Sequence, residues 1–282
     1  MISRQATQRL IFAGLTLAAF ATVTPILFVV GYVAWQGAPA ITAEFLAAVP
    51  RDGMRAGGIF PAIVGTLLLT LGTGVIAVPL GVAAAVYLSE YAADSRLTHL
   101  IRLAIINLAG IPSVVYGLFG LGLFVLFLRF GTSILAGSLT LAIMTLPVII
   151  STAEEALRAV PQSFRVVSIS LGGSKWQTIR RVVLPQALPG ILTGVILGLE
   201  RAAGETAPIL FTVAAFFLPR LPRSIFDQTM ALPYHLFVIS TQVPGMPIHI
   251  QFGTALVLLT FVLSMNVMAT LTRSYYRRRR QW

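Results

Sequence analysis

The stretch Pro161-Gln-Ser-Phe-Arg-Val-Val-Ser-Ile-Ser-Leu171 runs into Gly172-Gly173 and then Ser174-Lys-Trp-Gln177. It lies in a polar, basic passage, 153–187, between two long apolar runs. The first eleven residues have helix-forming length and a mixed apolar face. Gly172-Gly173 predicts a stop, because glycine adopts the left-handed geometry that ends a helix. Ser174-x-x-Gln177 is a capping box, which predicts a second helix ending by Leu184-Pro185. Two short helices at a glycine corner, in a passage holding Arg158, Arg165, Lys175, Arg180 and Arg181, read as a docking element. The apolar Val167, Ile169, Leu171 and Trp176 then await a partner surface. The competing reading is an amphipathic hairpin lying on a bilayer.

Outward from this segment the chain is apolar. Of 282 residues, 57% are hydrophobic and 10% charged, and the mean hydropathy is +0.88. Soluble domains carry about 25% charged residues, so a water-soluble globule is excluded. Apolar stretches of about 20 residues read as membrane helices. Six are expected, at about 10–35, 60–88, 100–128, 133–152, 188–217 and 252–271, an all-α integral membrane fold. The first is too long for the core of a signal peptide, the rival reading. Pro79 is expected to kink the second, and Pro112 to break the third within Gly110-Ile-Pro-Ser113.

Six spans put both termini on one side. Loops on that side hold 14 Arg and Lys and the opposite loops hold 5, which predicts cytoplasmic termini and a cytoplasmic 153–187 segment. The net charge of +11 is therefore read as orientation. The tail Arg277–Arg280 reads as an anchor on anionic lipid, with nucleic-acid binding as the alternative. The proline-rich loop 218–251 is expected outside, either as a passive connector or as short structured pieces touching a partner. There is no cysteine, and His99, His235 and His249 have no metal-ligand spacing.

The fifth apolar run carries two further signals. Gly190, Gly194, Gly198 and Ala202 form a small-residue stripe that invites close helix packing. Glu200, Arg201 and Glu205 stand in the same helix, where one charge at the bilayer centre costs at least about 2.5–3.5 kcal/mol. Arg201 and Glu205 are four apart and are expected to pair. That pair reads either as part of a path through the membrane or as a structural salt bridge. Gly204 and Pro208 would permit local unwinding there.

Gly172, followed after nine residues by Val182-Val183-Leu184-Pro185, resembles the second half of the cytoplasmic loop of ATP-binding-cassette (ABC) importer permeases. The first half departs: Val166-Val167-Ser168 stand where the family has Glu-Ala-Ala. Arg165 or Lys175 is expected to substitute for the missing acidic contact with an ATPase. Arg201-Ala-Ala-Gly-Glu-Thr-Ala-Pro208 resembles the hallmark of permeases of phosphate-specific ABC importers, the PstA-type subunits in particular. So do Gly57-Gly-Ile-Phe-Pro-Ala-Ile63 with Gly65-Thr66, Gly110-Ile-Pro-Ser-Val-Val-Tyr-Gly117 and Met230-Ala-Leu-Pro-Tyr-His235. Glu200 departs from the pattern and is expected to compete with Glu205 for Arg201.

The resemblance implies a type I, MetI-like permease fold with cytoplasmic coupling helices. It implies an N-terminal helix and external loop at 1–58, the permease domain at 59–275 and a basic tail at 276–282. It further implies a sister permease (PstC-like), a homodimeric ATPase and an extracytoplasmic phosphate-binding protein as partners. Arg201, Glu205 and Thr206 are then expected on the translocation path. Arg165, Val167, Ser168, Leu171, Gly172, Lys175 and Trp176 are expected to couple to the ATPase, and Gly190, Gly194 and Gly198 to pack helices. The one lysine, Lys175, follows Ser174, so there is no phosphate-binding Gly-Lys-Ser/Thr loop. No cofactor is expected on this chain, and ATP-Mg is assigned to partner subunits. The rivals are a permease for another oxyanion such as sulfate or molybdate, and an autonomous membrane channel or membrane enzyme.

Overall fold

A computed structural model of the protein describes residues 4–278. The helices are α1 (Arg4–Gly37), α2 (Ala43–Ala47), α3 (Phe60–Val86), α4 (Arg96–Ala109), α5 (Ser113–Gly120) and α6 (Ile134–Arg158). They continue as α7 (Gln162–Ser170), α8 (Lys175–Thr178), α9 (Leu184–Gly204), α10 (Ala207–Thr212), α11 (Leu232–Thr241) and α12 (Ile248–Arg278). A two-residue hairpin, β1 (Pro50–Arg51) with antiparallel β2 (Ala56–Gly57), closes the α2–α3 connection. Part of the Arg277–Arg280 tail, with its side chains, lies outside the described residues.

Five helical segments are long and apolar enough to span a membrane, and α4 with α5 forms a sixth bent by 100°. The bend falls at Gly110–Pro112, where proline removes an amide donor. Hydrogen bonds at its two ends show that this bent pair crosses the bundle. Arg102 on α4 donates to Leu88 O at 2.8 Å, at the end of α3. Beyond α5 the chain reaches the opposite end, where Ser133 N donates to Thr212 O and Ile134 N to Asp227 O, both at 2.9 Å. The third span is thus one broken crossing.

α3, α6 and α9 form the centre of the bundle, and α1 and α12 lie outside it. α1 keeps Leu17 and Phe28 more than two-thirds exposed, which water would not tolerate and lipid does. The interior divides into two clusters. One, toward the α10–α11 end, holds Leu69, Tyr116, Leu141, Ala202, Met230 and Leu232. The other, toward the α7–α8 end, holds Ala77, Ile149, Leu157, Val183, Ile191 and Val195.

α3 contains Pro79 and runs as one helix to Val86. One expectation needs correction, and one open choice is resolved. The second hairpin helix does not end at Pro185: α8, a wider π-turn at Ile179–Val183 and α9 form one span, Lys175–Gly204. In that turn Leu184 N donates to Ile179 O, five residues back, so the helix absorbs the bond that Pro185 cannot make. The 218–251 loop is no passive connector, since α11 buries Leu232, Tyr234, His235, Val238 and Ile239. Gly65 and Thr66 hold it there. Thr66 Oγ1 accepts from Leu232 N at 2.8 Å, and a side chain at Gly65 would collide with Met230 O.

Candidate translocation site

α9 ends at Gly204, with Glu205 in extended geometry, and the chain resumes as α10 at Ala207. The fifth span therefore stops well short of residue 217. Arg201 occupies the last turn of α9, and its Nε donates to Glu205 Oε1 at 3.4 Å. The pair is loose. Arg201 is 37% exposed and Glu205 17%. A guanidinium offers five donors, and this is the single hydrogen bond Arg201 makes among the described residues.

Other internal arginines are more fully engaged. Arg102 Nε donates to Glu154 Oε1 at 2.8 Å besides its bond to Leu88 O. Arg165 makes four bonds between 2.6 and 3.2 Å. Arg201, with one long bond, is the least engaged of the three, and it sits where the two interior clusters meet, between Val195 and Ala202.

Two sequence motifs far apart in the chain converge here. A side chain on Gly117 would meet Pro208 Cα at 3.0 Å and Ala207 O at 3.1 Å, so the broken span α4–α5 touches the broken span α9–α10. The Tyr116 hydroxyl bridges the α4–α5 break by donating to Leu108 O at 2.8 Å. Paired helix breaks at mid-bundle are a recurrent way of building an intramembrane site, because the interrupted backbone offers polar groups to a cavity. Thr206 sits in the break and makes no side-chain cap on α10.

Glu200 does not compete for Arg201. It faces α12, where Asn266 Nδ2 donates to Glu200 Oε2 at 2.8 Å, and its Oε1 is buried without a hydrogen-bond partner. Adjacent residues on a helix point about 100° apart, which separates it from its neighbour. The small-residue stripe packs within the chain. Added side chains would meet Ala156 Cβ from Gly190 at 2.5 Å, Thr152 Cβ from Gly194 at 2.6 Å and Ile149 Cγ1 from Gly198 at 3.1 Å. Its partner is α6.

At the far end, α7 and α8 form the hairpin. Gly172 has φ +84°, and both capping-box bonds of Ser174 and Gln177 are present. Ser168 and Thr178 hydroxyls join the two arms at 2.8 Å. Val167, Ile169, Leu171 and Trp176 are more than half exposed. Val167 and Leu171 line a cavity of about 560 Å³ with Ser163, Ser168, Gly173 and Gln177. Lys175 is exposed and lies 4.7 Å over the Tyr91 ring.

Arg165 is turned inward, so it does not stand in for an acidic contact on the outer face. Glu90 takes it up, and sequence reasoning passed over Glu90. The available signal was an acid at the end of an apolar span, on a side otherwise rich in cations. Glu154, which holds Arg102 and Arg158 at 2.8 Å each, was missed in the same way. Its spacing of four from Arg158 was the clue.

Comparison with known proteins places this architecture. Residues 77–281 match the family model for the binding-protein-dependent transport system inner membrane component. The probable ABC transporter permease protein YqgI of Bacillus subtilis (strain 168) is 34% identical over 270 residues, covering 91% of this chain and 90% of that protein. The phosphate transport system permease protein PstA 1 of Mycobacterium tuberculosis (strain H37Rv) is 38% identical over 231 residues, covering 80% and 73%. Among solved structures, a bacterial ABC transporter involved in import of the acidic polysaccharide alginate matches with TM-score 0.64 at 15% identity, over 94% of this chain and 96% of that one. The inward-facing MetNI methionine transporter matches with TM-score 0.60 at 17% identity, over 78% and 94%. The fold is that of type I importer permeases, and the chain belongs to the binding-protein-dependent transport system inner membrane component family.

Proposed function

We propose that the chain is the permease subunit of an ATP-driven importer of inorganic phosphate. The observation that carries this reading is Arg201, a guanidinium inside the bundle with one long bond to Glu205 and most of its donors uncommitted. Its fork suits phosphate oxygens, and the nearby carboxylate keeps the site weak, which suits a conduit better than tight binding does. Relatives named as phosphate permeases support phosphate over sulfate or molybdate.

In this reading a sister permease completes the path and an extracytoplasmic binding protein delivers the anion. Two ATPase subunits bind ATP-Mg and hydrolyse it. The hairpin and both termini face the cytoplasm, in keeping with the arginine distribution. Val167, Leu171 and Trp176 dock on the ATPase, and Lys175 supplies a cation at that contact. Arg201 and Glu205, with Thr206 in the helix break, line the path.

The test is phosphate uptake by the assembled transporter. Arg201→Gln is expected to lower uptake roughly 10- to 100-fold, the equivalent of about 1.5–3 kcal/mol for a bond to a charged group, at unchanged membrane level. Normal uptake by that variant would make the pair a structural salt bridge. Competition by sulfate or molybdate that matched unlabelled phosphate would overturn the substrate assignment.

A further inference from the structure

At the hairpin end of the bundle one guanidinium ties three elements together. Arg165 Nη2 donates to Glu90 Oε1 at 2.7 Å and Nε to Glu90 Oε2 at 3.2 Å, a fork on both carboxylate oxygens. Arg165 also donates from Nη1 to Val160 O at 2.6 Å and from Nη2 to Leu157 O at 2.9 Å. Those carbonyls close α6, where the last turn of a helix leaves acceptors without partners. The two side chains are 13% and 8% exposed.

Glu90 stands in a π-turn, Tyr87–Tyr91, that terminates α3. Arg165 stands in the first turns of α7. One side chain therefore joins the ends of α3 and α6 to the first hairpin helix. From α6 the contact continues through Ile149, Thr152 and Ala156 onto the glycine stripe of α9, whose last turn carries Arg201.

We propose that Arg165 and Glu90 are positioning residues that transmit displacement of the α7–α8 hairpin to α3 and α6. The inference rests on the permease reading above. The other ties of the hairpin lead elsewhere. Phe164 of α7 packs against the interior cluster at this end, Gly172 bends the corner in left-handed geometry, and α8 runs on into α9 as one span. With the fork intact, a push on the hairpin moves α3 and α6 as one body. Without it, a push on the hairpin still reaches α9 through α8, while α3 and α6 lose their polar tie to α7.

The experiment measures phosphate uptake and ATP hydrolysis together, on the whole transporter in vesicles. Arg165→Lys keeps the charge but cannot fork, and Glu90→Gln keeps the shape but loses the charge. Both are expected to assemble and to hydrolyse ATP at near wild-type rate. Phosphate moved per ATP is expected to fall about three- to thirtyfold, the range that substitutions along a coupling path produce. Arg165→Met is expected to fall further than Arg165→Lys. Should Arg165→Met fail to assemble, Glu90→Gln, which is nearly isosteric, carries the test. A wild-type ratio of transport to hydrolysis in Arg165→Lys and Glu90→Gln, whether both rates hold or both drop together, would overturn the proposal. Absence of ATP-dependent phosphate uptake by the wild-type transporter would overturn the permease reading instead.

Discussion

At the scale of single residues, the intramembrane charges have separate tasks. Arg201 and Glu205 face each other loosely at the end of α9, while Glu200 turns to Asn266 on α12. Arg201→Lys is therefore expected to retain part of the phosphate uptake that Arg201→Gln loses, since a lysine keeps the charge without the planar fork. Glu200→Gln should leave uptake close to wild type, because an amide oxygen still accepts from Asn266 and the half-buried charge is removed. A loss in that variant as deep as in Arg201→Gln, measured as initial uptake rate, would place Glu200 on the path. The spacing of four that pairs Arg201 with Glu205 was legible in the sequence. The direction of Glu200 was not, because it depends on which neighbouring helix lies against that face of α9.

At the scale of elements, the helix breaks and the glycine stripe divide the labour. α9 lies so close to α6 that a methyl on Gly194 would meet Thr152 Cβ at 2.6 Å, whereas on Gly198 it would meet the side chain of Ile149 at 3.1 Å. Gly194→Ala should lower stability by about 1–3 kcal/mol, the cost of overpacking. Gly198→Ala should cost less, because an isoleucine tip yields more readily than a Cβ. Thermal unfolding in detergent checks the order. Gly172→Ala is different: there is open space around it, but φ is +84°, so the strain of about 1–2 kcal/mol is confined to the hairpin corner. That variant should keep the unfolding temperature of the bundle and show the change in coupling. The capping box and the glycine corner were readable from residue types alone. That α8 runs on into α9 was not, because Pro185 signals a stop unless a wider turn precedes it, and the wider turn is set by packing at Ile179 and Val183, both buried.

At the scale of the molecule, two interior clusters are stacked along the bundle, and the broken spans meet within the one toward the α10–α11 end. The α10–α11 end is closed by the loop that leads into α11, where Asp227 Oδ2 accepts from Arg223 N at 2.8 Å and from Ser224 N at 3.2 Å. The Arg223 amide bond first, then that of Ser224 and the Arg220 and Arg223 charges, hold the Asp227 carboxyl below its usual value. A lowered pKa means that the charged form is favoured by the folded loop. Its contribution is complete above the unfolded value near 3.8 and is lost as pH falls through the folded one. The protection factors of the Arg223 and Ser224 amides, taken relative to the intrinsic exchange rate at each pH, should accordingly fall on acidification below that value, and in Asp227→Ala should be low at every pH. Unchanged protection in Asp227→Ala would show that the loop is held by other bonds.

The sequence by itself determined the solvent, the break at Pro112 and the family. These depend on hydropathy summed over about 20 residues and on the local chemistry of proline, glycine and capping side chains, none of which needs a partner. The tertiary structure alone decided which charges meet. Glu90 and Arg165 are 75 positions apart, Arg102 and Glu154 are 52 apart, and Gly117 meets Pro208 across two broken helices. Such pairings follow from how helices are rotated and stacked, and that is fixed by close packing of the whole bundle rather than by any one segment.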